Sequence, residues 1–416
     1  MKKLLLLLGA VVLIASCSDE PQQEGKQEEP IPEPVVDVVQ EVIPGVDISL
    51  TSAESVAASA QKAFEYDFFT AMSSVHGTRS NMVCSPASAS VLLSMLANAS
   101  TDKARAEILS TLGCEDIDAL NSLAFKKLTQ LPVSDPQVAL HFANALWYSD
   151  ALTIDANFAK TMSESYGIES YARKFDNSLP SEVNSWIDEK TNGIIKQIIT
   201  GTPSAECAAL LINSLYFKGA WSIKFDKKET KREIFHGVGG DSKVSMMHNV
   251  ETQLFYRGYD FRAVKMQIGT KGFEAIFVLP DEGISIADFI KNDGLKYAGE
   301  HDYCEQIIDF KLPKFKFNSL EMDLAAPMVQ MGVKEIGNLS NLSAFTSNVN
   351  AKQEISQKIS LEFNEEGAEA AAATFSFWSH GPEPEHPEVY FNRPYIFMIR
   401  EAQTGAILFA GQILKL

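Results

Sequence analysis

What the chain does without narrows its function first. Cysteine is scarce, five in 416 residues. No two form a CxxC pair, which excludes a thioredoxin-like dithiol or a zinc ribbon. Cys84, Cys114, Cys207 and Cys304 stand far apart and read as buried free thiols. Basic charge is short: 36 Lys and Arg against 54 Asp and Glu leave a net charge of −18. That argues against nucleic acid, whose affinity comes mainly from Lys and Arg on phosphates. No GxSxG elbow, HExxH, Walker loop or GxGxxG is present, and no pair of carboxylates stands out as acid and base, so the chain is not expected to be an enzyme. The seven histidines are scattered. His380 and His386 share a loop with Glu383 and Glu385, read as solvated residues, so no metal or other cofactor is expected. Finally, no Lys or Arg lies between Gly367 and Pro387.

What is present begins with a targeting signal. Met1-Lys2-Lys3 is followed by the apolar run Leu4–Ile14, eleven residues and too short to span a bilayer as a helix. Ile14-Ala15-Ser16-Cys17 resembles a bacterial lipobox, which makes Cys17 the expected lipidation site and residues 1–16 the signal peptide. Several acyl chains on one residue hold a protein firmly on a membrane. Ser18-Asp19-Glu20 resembles an acidic export signal of surface lipoproteins, so an outer-membrane or cell-surface location is expected. Between Ser18 and Pro34 lie six acidic residues, four Pro and three Gln, a composition that cannot bury a core. Residues 17–50 therefore read as a tether, with Val35–Leu50 more apolar and able to begin docking, and residues 51–416 as one folded domain.

At 45% hydrophobic and 22% charged, the body has ordinary globular composition. Val56, Ala60, Phe64, Phe68 and Met72 recur every four residues and predict a helix with these on its buried face. Ser85-Pro86 opens a second helix, and VNSWIDEK a third that stops near Asn192-Gly193. Ala208–Phe217 and Gly272–Pro280 are continuous apolar runs, as suits strands buried on both faces; Ile307–Leu312, Glu388–Arg400 and Ala406–Leu416 predict late strands. The pattern is α+β in one large domain.

The unusual stretch is NEEGAEAAAATFSFWSHGPEPEHPE, starting at Asn364. Alanine favours helix, but this segment would bury only methyl groups and runs into strand-prone Thr374–Trp378. At period two, Ala368, Ala370, Ala372, Thr374 and Ser376 share one side and all are small, while Glu369, Ala371, Ala373, Phe375 and Phe377 share the other. Such a strand could slide between existing strands over a packed core, an odd thing to build unless the segment changes place.

NEEGAEAAAAT closely resembles the reactive-loop hinge of inhibitory serpins, and the likeness extends over nearly the whole body. NMVCSPAS (Asn81–Ser88), VNSWIDEKTNGII, LINSLYFKGAWSIKF (Leu211–Phe225), VSMM, FVLPDEG, LPKFKF and FNRPYIFMI (Phe391–Ile399) all resemble family segments. The resemblance implies a central, mainly antiparallel five-stranded sheet with further sheets, eight to nine helices and an exposed reactive loop. It implies a suicide inhibitor, a monomer whose target endopeptidase attacks the loop, forms an acyl-enzyme and is trapped as the loop inserts into the main sheet. By the same resemblance Glu365, Glu366 and Gly367 begin the hinge and Ala368, Glu369, Ala370, Ala371, Ala372, Ala373 and Thr374 continue it. Ser85, Ser88, Asn213 and Gln357 form the gate (the shutter) below the sheet, and Trp221 marks the breach where the loop first enters. The family usually has His where Gln357 stands and Phe where Tyr395 stands. Counting from Gly367 puts the cut at Gly381-Pro382, and counting back from Phe391 puts it at Glu383-Pro384. Both precede proline, which most proteases cut poorly, so the candidate region is Phe377, Trp378, Ser379, His380 and Gly381. Cleavage after Trp378 suits a chymotrypsin-like serine protease and cleavage after Ser379 a papain-like cysteine protease. The competing expectation is a non-inhibitory surface binding module.

Overall fold

The computed structural model describes residues 47–77, 79–193, 195–203, 207, 209–270, 272–334, 344–346, 356–368 and 386–416. Cys17, Glu369–Thr374 and the candidate cleavage region Phe377–Gly381 lie outside the described residues. The first half is mainly helical: α1 (Ser52–His76), β1 (Met82–Cys84), α2 (Pro86–Ala99), α3 (Asp102–Leu112), α4 (Ile117–Gln130), β2 (Val138–Ser149), α5 (Ala156–Tyr166), β3 (Glu169–Arg173), α6 (Leu179–Lys190) and β4 (Ala209–Ala220). The second is mainly strands: β5 (Lys231–Gly237), β6 (Gly240–Arg257), β7 (Phe261–Ile268), β8 (Phe273–Pro280), α7 (Ile286–Lys291), α8 (Gly294–Glu300), β9 (Cys304–Pro313), β10 (Phe315–Asp323), α9 (Ala325–Met331), β11 (Ser356–Phe363), β12 (Gly367–Ala368), β13 (Glu388–Tyr390), β14 (Tyr395–Glu401) and β15 (Ile407–Ile413). Nine α-helices are thus present among the described residues.

The helix starts follow local chemistry. Thr51 and Glu54 form a capping box on α1, with the Thr51 amide donating to the Glu54 carboxylate at 2.6 Å. Ser85 caps α2, and Pro86 occupies its first turn, where no amide donor is needed. On α1, Phe64, Phe68 and Met72 are buried as expected, but Val56 is 66% exposed. Ala57, Ala58 and Gln61 face inward there instead, so the buried stripe of the first turns lies one residue later than the period-four reading put it.

A nine-stranded sheet runs β1-β15-β14-β8-β7-β6-β9-β13, with β5 added on β6. A second ladder runs β12-β4-β2-β3, and β10-β11 form a third. Among the described strands pairing is antiparallel except β2 with β3 and β13 with β9. All eight residues of β8 are buried because both its faces are covered: Ile276 and Val278 pack with α1, α2 and α8, while Ala275 and Phe277 pack with β4, β10 and β11. Outside β2 and β4, α6 covers Ala143, Ala145 and Ile212 with Trp186 and Ile187. The strand expected over Glu388–Arg400 is two strands, β13 and β14. The break falls at Asn392-Arg393-Pro394, where Pro394 has no amide to give a ladder. Cys84 and Cys114 are buried free thiols, as the sequence predicts, but Cys207 is half-buried and Cys304 exposed.

Candidate functional site: the hinge and the gate

β11 ends at Phe363 and turns back on itself. The Asn364 and Gly367 amides and carbonyls exchange two hydrogen bonds of 3.2 Å, and the Asn364 side chain accepts from the Glu366 amide at 2.9 Å. The turn delivers Gly367 and Ala368 to β4, paired antiparallel with Ala220 and Gly219. Only glycine fits the corner. Gly367 has φ of +131°, and a Cβ there would stand 2.5 Å from the Gly219 carbonyl oxygen and 2.6 Å from the Trp221 nitrogen.

Trp221 is the floor under this turn. It is buried, lies parallel to the Phe363 ring at 5.6 Å, and its indole N–H donates to the Asn364 carbonyl at 3.0 Å. Its main-chain amide donates to the Glu366 carbonyl, and that of Phe225 to the Glu365 carbonyl. The two turn carboxylates are held by lysines. Lys314 reaches Glu365 at 2.8 Å, opposite the Thr230 hydroxyl at 2.8 Å; Lys227 and Lys224 reach Glu366 at 2.7 and 3.3 Å. Burial on its own would raise the Glu365 carboxyl, but the Lys314 and Thr230 hydrogen bonds more than offset it, and the group sits below the ordinary carboxylate range. Glu366 is lowered chiefly by Lys227, against a smaller effect of burial.

The gate lies further down β4. Gln357 on β11 clasps the Ser85 main chain with both ends of its carboxamide: Oε1 accepts from the Ser85 amide at 2.7 Å, and Nε2 donates to the Ser85 carbonyl at 3.0 Å. The Ser88 hydroxyl donates to Asn213 Oδ1, and Asn213 Nδ2 donates to Asn144 Oδ1 at 2.6 Å. The four gate residues named from the sequence thus converge between α2, β4 and β11. Between β4 and β11 the described residues form no ladder below Gly219, and a cavity of about 450 Å³ opens there, bordered by Ser88, Asn213, Glu321 and Gln357. β2 satisfies one edge of β4 from Ala209 to Gly219, while β12 meets the other edge only at Gly219 and Ala220.

Sequence reading missed Asn144, Lys224, Lys227, Thr230 and Lys314. Lys224 and Lys314 lie inside quoted segments, but nothing in those segments marks any of the lysines as a partner of the hinge carboxylates, and Asn144 becomes visible only once its register opposite Asn213 is known. Among the described residues no cluster of His, Cys, Asp and Glu could hold a metal ion.

A family model described as serpin (serine protease inhibitor) matches residues 59–416. The chain is a serpin. Serpin-Z10 of Arabidopsis thaliana is 32% identical over 356 residues, covering 80% of this chain and 91% of that protein. Among solved structures, the thermophilic serpin tengpin in its native state aligns with a TM-score of 0.78 at 23% identity, over 90% of this chain and 98% of that one. Human thyroxine-binding globulin in complex with its ligand aligns at 0.77 and 24%, over 88% and 99%. These two likenesses show the α+β serpin fold. The family consists generally of protease inhibitors rather than catalysts, so a protease is the expected kind of partner.

Proposed function

We propose that this serpin is a suicide inhibitor of serine, and of papain-like cysteine, endopeptidases. The observation that carries the reading is the pairing of Gly367 and Ala368 with β4, along an edge with which no other described strand pairs further down. An open edge is a template for another strand, and the next residues of the chain alternate with one side uniformly small. A target protease attacks a carbonyl among Phe377–Gly381, forms an acyl bond and expels the new amine. The freed segment Ala368–Ser376 then zips along β4, driven by new main-chain hydrogen bonds and burial, and carries the acylated protease with it. Glu365, Glu366 and Gly367 serve as the hinge. Trp221, Ser85, Ser88, Asn213 and Gln357 hold the sheet shut until cleavage.

Incubation with chymotrypsin, elastase, subtilisin and papain-type enzymes should give a complex stable to denaturing electrophoresis with at least one of them. Clean cleavage by every protease, with no rise in the melting temperature of the cleaved chain, would favour the binding-module alternative. Ala372→Arg puts a long charged side chain on the small side of the inserting segment and should turn the inhibitor into a substrate. We also propose that Cys17 carries the lipid and the residues after it act as a tether at the cell surface as far as Ile48, which is buried and hydrogen-bonded both ways to Gln403 and so already belongs to the body, with the body a monomer. Cys17→Ser should move the protein from the membrane to the soluble fraction.

A further inference from the structure

The gate does not end at Asn213. Asn144 on β2 is only 5% exposed; its Oδ1 accepts from Asn213, and its Nδ2 donates to the main-chain carbonyl of Tyr166 at 2.8 Å. Tyr166 is the last residue of α5 and is fully buried. Its hydroxyl donates to Asn121 Oδ1 on α4 at 2.7 Å and accepts from Asn98 Nδ2 on α2 at 3.4 Å. Asn98 and Asn121 also bond each other, at 2.8 and 3.2 Å. Asn98 belongs to the same helix as Ser88, so the hydrogen bonds leave α2 at Ser88, cross β4 and β2, reach the end of α5 and return to α2 one helix length away.

We propose that Tyr166 is a positioning residue of the gate, acting through Asn144. An asparagine carboxamide has one accepting and one donating end. The Tyr166 carbonyl takes the donating end of Asn144, so the accepting end must face Asn213. That turns Asn213 to present its own oxygen to Ser88. The phenol, tied to α2 and α4, fixes where the carbonyl at the end of α5 points. Buried networks of this kind lose more than one bond when a member is removed, because the partners left behind are unsatisfied.

The proposal rests on the loop-insertion reading for its functional meaning, but its test does not. Hydrogen exchange of the intact protein is measured for Tyr166→Phe, Asn144→Ala and the double variant. Each single variant should speed exchange about ten-fold, equivalent to about 1.4 kcal/mol, in segments 85–90 and 356–363. β8 and β15, which carry no residue of the circuit, should be unchanged. The double variant should exchange no faster than Asn144→Ala alone, since Tyr166 acts through it. Unchanged exchange at the gate, equal acceleration in β8 and β15, or additive effects of the two substitutions would each overturn the proposal. A separate melt of loop-cleaved wild type distinguishes the two levels: no gain in heat resistance there sinks loop insertion, whatever the exchange pattern.

Discussion

Tyr395 offers a change that should make the native protein more stable by removing one atom. Its ring is fully buried, packed edge-on against Phe391 at 5.3 Å and Phe235 at 6.3 Å, and its hydroxyl has no hydrogen-bond partner among the described residues. Burial pushes that hydroxyl far above its ordinary pKa, so it stays neutral and gains nothing by ionising. A buried hydroxyl left unbonded costs about 1–3 kcal/mol, whereas Phe keeps the ring and its contacts. The body has about 370 residues; at about 2.1 cal/mol/K each, its unfolding entropy is about 0.8 kcal/mol/K. Tyr395→Phe should therefore raise the melting temperature by about 1–4 °C and shift the urea midpoint upward without changing its slope. Because Tyr395 belongs to β14 of the nine-stranded sheet and not to the strands that would receive the loop, the loop-cleaved form should gain as much. Scanning calorimetry of both forms checks this. An unchanged or lowered melting temperature would refute the reasoning, since it would mean the hydroxyl is satisfied. A gain confined to one form would mean that β14 takes part in the conformational change.

Three further outcomes follow from the hinge and gate. Gly367→Ala combines a left-handed φ with contacts of 2.5 and 2.6 Å to backbone, a strain of at least about 1–3 kcal/mol. It should detach β12 from β4, seen as faster exchange at the Trp221 amide, and unaltered exchange there would contradict the geometry. Gln357→His should give gate opening a pH dependence near the ordinary histidine value of about 6.5, whereas the wild type, gated by a carboxamide, should be flat from about pH 5.5 to 8; exchange of the Ser85 amide against pH reads both. Glu365 and Glu366 are held below their unfolded value of 4.5. Their contribution is thus complete above that value and lost as the pH falls through the depressed folded values. Trp221 fluorescence, followed downward from pH 5, should report the turn loosening, and replacing Lys314 by Ala should move that change to higher pH.

Much of this was legible in the sequence because it is written locally. Ser85-Pro86 states a helix start, and the apolar run Phe273–Pro280 states a strand covered on both faces. Asn364–Gly367 states a hinge because only glycine tolerates its corner, and the gate residues were named as a group through family resemblance. What escaped is set by partners distant in sequence. Val56 matches the helical period as well as Ala57 does, and only the direction from which the core approaches α1 separates them. The lysines on Glu365 and Glu366 come from segments about 50 and 140 residues away, and any surface lysine reads the same. Asn144 and Tyr166 look like ordinary strand and helix residues until β2 and β4 are in register.

The turn at Asn364–Gly367 also works as the zero mark of a ruler. Gly367 opposite Ala220 and Ala368 opposite Gly219 set the offset that every following residue takes if the segment inserts along β4 as proposed. Carried downward, that offset lands Ala370 against Phe217, Ala372 against Leu215 and Thr374 against Asn213. All of these fall on the face of β4 that looks into the core and onto α2. On the opposite face it lands Glu369 against Lys218, a pairing of opposite charges, and Ala373 against Ser214, whose buried hydroxyl has no partner. The small side of the segment is thereby assigned to the crowded face, and the first of its two hydroxyls, at Thr374, is addressed to the gate asparagine. A one-residue slip would swap the two faces and send Glu369 into the core; a crystal structure of the loop-cleaved chain reads the offset directly.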